Sequence, residues 1–295
     1  MAVTATDVIG LAEVDKPVGY WASVWRRFRR DPVAVAAACV AGGLILMAVF
    51  APWLAPRDPL DGEMIKRLSP IGTEGHPLGA DELGRDMLSR LIHGARLSLF
   101  MGVTPVLIAF FIGSAIGIAA GFAGGWVNSV TMRTLDVLYA FPSVLLAIAI
   151  SGALGAGIVN GLISLTVVFI PPIARVAESV TTAVRELEYI EAARASGASA
   201  LTIVRAHVLG NVLGPIFVYA TSLISVSMIL AAGLSFLGLG VSPPNAEWGL
   251  MLNTLRNAIY VQPWLAALPG VMIFLTSISF NMLSDGLSSA MDIKQ

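Results

Sequence analysis

Polar and apolar positions alternate along this chain in long blocks rather than at helical or strand spacing. Runs without Asp, Glu, Lys or Arg extend over 32–56 (25 residues), 97–132 (36), 137–174 (38), 206–246 (41) and 257–284 (28). A helix that crosses a bilayer needs about 20 residues at 1.5 Å each. The first and last runs therefore predict one span each. The 36-residue run predicts one span followed by an exit turn at Gly121, Gly124 and Gly125. As one helix, the 38-residue run would be about 57 Å long, nearly twice the ~30 Å of hydrocarbon. Gly152, Gly155, Gly157, Asn160 and Gly161 divide it into two spans. The 41-residue run predicts one span and then a loop through Gly238, Gly240, Pro243 and Pro244. The total is six.

The expected organisation is a polar segment at 1–31, a first transmembrane helix at 32–56, a loop at 57–96 and a five-helix domain at 97–288. Within that domain the helices fall near 97–120, 137–154, 158–177, 211–237 and 264–284, with a polar loop at 178–210. Residues 289–295 form a tail. The polar start followed by a long apolar run reads as a retained first helix, not a cleaved signal. Arg26, Arg27, Arg29 and Arg30 precede the first span and favour a cytoplasmic N-terminus. Six spans then return the C-terminus to the cytoplasm and put 57–96 outside. Six basic residues in that outer loop, Arg57, Lys66, Arg67, Arg85, Arg90 and Arg96, oppose this orientation. The first helix carries more weight.

Composition agrees with lipid as solvent: 56% of the 295 residues are hydrophobic and 13% charged, against about 25% charged in soluble domains. A net charge of −1 offers nothing to a nucleic acid. The single cysteine, Cys39, lies inside an apolar run, where a thiolate is poorly stabilised.

Candidate chemistry is sparse. Asp136 and Asp285 stand only at the edges of apolar runs, which argues against proton-coupled carriage. No lysine follows a glycine, so the chain lacks a Walker phosphate loop. His76 and His93 share a loop with Asp81, Glu82 and Asp86, but their spacing matches no metal pattern, and surface hydrogen bonding is the simpler reading. In the fifth span, Thr221, Ser222, Ser225 and Ser227 sit beside Met228. Thr221, Ser222, Ser225 and Met228 are candidates to line a pathway; the competing reading is that the hydroxyls bond back to their own helix or its neighbours.

The polar loop carries the strongest signal. Leu187, Ile190 and Ala193 recur at helical spacing, and Glu191 can pair with Arg194 at i,i+3. Gly197 suits a left-handed helix end, and Ser199 suits the N-cap of a second helix running into the fifth span. A protruding helix-turn-helix and an amphipathic membrane-surface loop both fit this pattern.

Glu191-Ala192-Ala193 with Gly197 resembles the "EAA" loop of ABC importer permeases. His76-Pro77-Leu78-Gly79-Ala80-Asp81-Glu82-Leu83-Gly84-Arg85-Asp86 resembles a signature of the dipeptide/oligopeptide/nickel permease family. Ala140-Phe141-Pro142, Leu234 to Gly240, Trp248-Gly249, Phe280-Asn281 and Asp285-Gly286-Leu287 are similar to it as well, and the arginine-rich start is similar to its C-type subunits. Two positions depart from the family pattern: Leu209-Gly210 where Leu-Pro is usual, and Ala231 where Glu is frequent.

The resemblance implies an all-α integral membrane protein with six transmembrane helices, the type I ABC importer permease fold and a cytoplasmic coupling helix. It implies a bacterial inner-membrane subunit that is not itself an enzyme. Its expected partners are a second, paralogous permease, two cytoplasmic ATP-binding subunits or domains and an extracytoplasmic solute-binding protein. ATP with Mg would be held by those partners, and no cofactor by this chain. Glu191, Ala192, Ala193, Gly197 and Leu209 would form the ATPase-coupling surface. Di- or oligopeptides, glutathione or nickel chelates are the implied solutes. The alternative is a secondary transporter or channel without an ATPase partner.

Overall fold

A computed structural model describes residues 20–291. Of the polar N-terminal segment, residues 1–19, and of the tail, residues 292–295, lie outside the described residues. Among the described residues the regular elements are all helices, and the 57–86 loop adds turns and isolated β-bridges.

Helix α1 (Tyr20–Phe28) ends at Arg29 and Arg30, and α2 (Pro32–Val49) begins immediately afterwards. Asp31 caps α2 by accepting from the Val33 and Ala34 amides, and Pro32 occupies the first turn, where no intrahelical N–H is needed. A short helix, α3 (Ala51–Leu54), leads into the outer loop. Helix α4 (Met87–Ala123) is 37 residues long and is capped by Asp86. It starts ten residues before the expected position 97. Arg90 and Arg96 ride on its first turns, so counting between charges places its start too late.

Gly124, at φ 67°, ends α4, and α5 (Gly125–Tyr139) follows at once. Phe141-Pro142 then breaks the chain, because proline offers no N–H and pushes the residue before it out of the helical region. Helix α6 (Ser143–Leu154) leaves α5 at 84°. The third span is therefore a broken pair and not the single helix expected at 137–154. After a turn at Gly155 and Gly157, α7 (Ile158–Arg185) runs eight residues beyond the expected 177 and carries Arg175 and Glu178 within the helix.

The polar loop holds α8 (Glu188–Ala195), α9 (Ala200–Ile203) and a π-helical turn at Val204–Val208, which flows into α10 (Leu209–Phe236). Helix α11 (Trp248–Thr254) follows α10, and α12 (Pro263–Met291) completes the described chain, seven residues past the expected 284. Among the described residues, five helices are long and apolar enough to cross a membrane, and six spans result when α5 and α6 count as one.

Helix α4 packs most closely on α7. Gly113, Gly117 and Gly121 form a ridge at four-residue spacing against Ile170 to Thr181. A Cβ at Gly117 would collide with the Ala174 carbonyl oxygen, and one at Gly121 would lie 2.7 Å from that of Glu178. Small residues allow such close approach where no hydrophobic force joins helices in lipid. Gly121 is thus a packing residue inside α4, not part of its exit turn. One core joins α4, α6, α7 and α10, and a second, around Trp248 and Met251 of α11, gathers α2, α4, α10 and α12.

Candidate functional site

The polar loop between α7 and α10 forms a compact projection. Ile190 is fully buried and anchors α8, whose first turn carries Glu188 and Glu191 where the helix dipole favours acids. Gly197 adopts φ 81° and closes α8. The Ala198 amide donates to the Ala193 carbonyl at 3.1 Å and the Gly197 amide to that of Arg194 at 3.0 Å. This is the paired capping pattern that places glycine in the left-handed position. Ser199 caps α9 through the Thr202 amide at 3.2 Å.

Glu191 and Ala192 are exposed, while Ala193 packs partly against the core. Leu209 is half-buried against the same core at the base of α10, off the exposed apex. The expected Glu191–Arg194 pair does not form: Arg194 lies over the Phe122 ring at 5.3 Å, reaching back to the end of α4. Arg185 donates to the Gly121 carbonyl at 2.9 Å, a second tie to α4.

The sequence reading missed the residues that strap α8 to α10. Asn211 Nδ2 donates to the Tyr189 hydroxyl at 3.1 Å and to the His207 carbonyl at 2.7 Å. The Tyr189 and His207 rings meet edge-on, with centroids 6.0 Å apart. His207 lies in the π-helical turn, and such turns mark functional sites more often than chance. The two contacts of Tyr189 join positions 18 and 22 residues apart that share no helical period, so spacing alone could not reveal them.

In α10, Ser222 borders a cavity of about 500 Å³ together with Tyr219, Ser284 and Asp285. Its hydroxyl also donates to the Tyr219 carbonyl. Thr221 reaches across to Ser284 of α12 at 3.1 Å. Ser225 and Met228 are 8% and 2% exposed. Met228 presses on Gly102 of α4, and Ser225 bonds back to the Ser222 carbonyl. These two pack the bundle, so their reading as lining gives way. A wall-facing stripe and a packing stripe share one helix, and their residue types overlap.

On the opposite end of the bundle, the outer loop folds into a charge-satisfied lobe. Asp81 pairs with Arg85 at 2.7 Å and with Arg90 at 3.1 Å, and Glu63 takes Arg57 and Lys66. Hydrogen bonds from Lys66 and then Arg57 hold the Glu63 carboxyl below its ordinary range. Four of the loop's six basic residues are thus matched by acids. His76 is buried rather than on the surface, with Nδ1 facing Asp86 at 3.3 Å and Nε2 without a partner, while His93 Nδ1 faces the Ser89 carbonyl at 3.0 Å. Glu247, between α10 and α12 and outside the spans, caps α11 and accepts from Ser98 of α4 at 3.1 Å. Burial pushes its carboxyl above the ordinary range, against the opposing pull of the Gly249 and Leu250 amides.

Residues 113–293 match the family described as binding-protein-dependent transport system inner membrane component. The chain belongs to that family. Residues 19–70 match the N-terminal transmembrane domain of oligopeptide transport permease C. The glutathione transport system permease protein GsiD of Pectobacterium atrosepticum is 42% identical over 274 residues, 93% of this chain and 91% of that protein. GsiD of an Escherichia coli O6:K15:H31 strain is 42% identical over 290 residues, 98% and 96% of the two chains. The MetNI methionine ABC transporter, in an inward-facing conformation, aligns with a TM-score of 0.54 at 20% identity, over 68% of this chain and 97% of that one.

The fold is thus that of an ABC importer permease, and the chain is a multi-pass transport subunit of the inner membrane. Family membership implies work alongside a paired permease, an ATPase and a binding protein.

Proposed function

We propose that this permease carries glutathione or short peptides and converts ATP-driven movement of its partners into movement of α10. The loop 186–202 would dock on one of two cytoplasmic ATP-binding subunits, which hydrolyse ATP with Mg. A paralogous permease would supply the other half of the pore, and an extracytoplasmic binding protein would deliver solute to the lobe at 57–86. Both termini would then be cytoplasmic. The observation that carries the reading is the strap Tyr189–Asn211–His207, which ties the exposed coupling helix to the first turn of α10. A push on Glu191 and Ala192 reaches α10 without a flexible intermediate. Gly197 supplies the turn that presents them, and Leu209 seats the helix base on the core. Ser222, with Thr221 behind it, faces the cavity that α10 and α12 enclose. The relatives named for glutathione transport, 42% identical across nearly the whole chain, support that solute class.

The test is reconstitution of the chain with its partner permease, ATP-binding subunits and binding protein in proteoliposomes. Labelled glutathione or dipeptide should accumulate only with ATP. Accumulation driven by a proton gradient without ATP, or by the purified chain alone, would overturn the reading.

A further inference from the structure

Helix α7 continues past the expected span and carries Arg175 about 26 Å from its outer end, at 1.5 Å per residue from Ile158. Counted so, the charge falls near the inner boundary of the ~30 Å of hydrocarbon. Its Nη2 forms an ion pair with Asp136 of α5, and its guanidinium lies over the Tyr139 ring at 5.9 Å. Both charges stay half exposed, Arg175 at 50% and Asp136 at 48%. Charges at this depth are costly against lipid and are retained where they face a water-filled cavity or a partner. A pair this exposed adds little to stability, so packing alone does not account for it.

The surroundings point to a ligand. One turn outward, Tyr139 and Pro172 line a cavity of about 370 Å³ between the α5–α6 break, α7 and α10. Tyr219 lines it and also borders the 500 Å³ cavity that Ser222 and Asp285 share. The volume is of the size that takes a small solute, and Asp136 and Arg175 stand one helical turn inward of its lining residues Tyr139 and Pro172.

Resting on the peptide reading above, we propose that Asp136, Arg175 and Tyr139 form a transit site for the charged termini of a zwitterionic solute. Arg175 offers unfilled guanidinium donors to a carboxylate, in the paired geometry that a planar fork provides. Asp136 takes an ammonium, and the Tyr139 face, covered now by Arg175, accepts that cation once Arg175 turns to the carboxylate. Solute exchanges one internal ion pair for two with itself. The exchange leaves no charge unpaired and binds weakly enough to release.

The test uses the assembled complex in nanodiscs without its binding protein, with saturation-transfer NMR on a dipeptide, its N-acetylated form and its C-amidated form. The free dipeptide should give saturation transfer at millimolar concentration. Arg175→Gln should weaken it about tenfold, and Arg175→Lys, which keeps the charge but loses the fork, should weaken it less. The C-amidated peptide on the unaltered complex should behave as the free peptide does on the Gln variant, and N-acetylation should mimic Asp136→Asn. In proteoliposomes, both variants should lose dipeptide uptake while stimulated ATP hydrolysis persists. Equal signals from all three peptides, or equal loss of ATP hydrolysis and uptake, would assign the pair to structure and overturn the site. If the unaltered complex takes up neither glutathione nor dipeptide, it is the solute reading that fails, and the NMR comparison still decides the site.

Discussion

At the scale of single residues, the clearest sequence signals were those with one physical cause. Gly197 could be read because a helix followed by a second N-cap needs a left-handed residue between them, and its φ of 81° follows from that need. Arg194 was misread because the i,i+3 rule sees only its own helix, whereas Phe122 arrives from 72 positions earlier. Glu247 gave no signal at all. Its burial depends on Ser98 and on a helix that begins one residue later. Its raised carboxyl has a consequence for stability. As pH rises above the ordinary value of 4.5, the unfolded chain loses its proton first, and stability drains until the folded-state value is passed. Thermal melting of the detergent-solubilised protein across pH 4.5 to 8 should therefore show Glu247→Gln gaining on the wild type as pH rises. A wild type that gains on the variant over that window would mean the buried carboxylate is favoured.

At the scale of elements, the count of six spans came from run lengths, because hydrocarbon thickness sets a firm minimum for each. The ends did not follow, since charges paired within the lobe or stacked on rings continue a helix as well as neutral residues do. The broken third span was also missed. Glycines at 152–161 mark its outer turn, but the bend itself is set by Pro142. Packing of α4 on α7 depends on the ridge of Gly113, Gly117 and Gly121. Gly117→Leu should force these helices apart at a cost of about 1–3 kcal/mol or more. A lowered melting temperature and a reduced yield of monodisperse protein would report it, with Gly42→Leu, where nothing lies within 4 Å, as the neutral comparison. Equal melting of the two variants would contradict the ridge.

At the scale of the whole molecule, the family could be read because its motifs are spread from the arginine-rich start to Asp285-Gly286-Leu287. Which faces meet water, lipid or a partner could not, since serines and methionines serve all three. The proposed orientation rests on the arginines before the first helix, and the ion-paired basic residues of the 57–96 loop weaken the opposing signal. With Cys39 replaced by Ala, an impermeant thiol reagent applied to spheroplasts should label Glu74→Cys and leave Ala200→Cys untouched, both being exposed positions. The reverse labelling would invert the topology. Coupling through α8 is the central claim, and ATP-driven uptake by the reconstituted complex carrying Gly197→Val tests it most directly. No atom crowds a Cβ at that site, so the change acts on the backbone, at about 1–2 kcal/mol for a left-handed non-glycine residue. That is on the order of a tenfold shift. Uptake should fall by about that factor while the protein still inserts, and Gly197→Asn, which tolerates the left-handed region, should fall less. Wild-type uptake with valine at 197 would contradict the account.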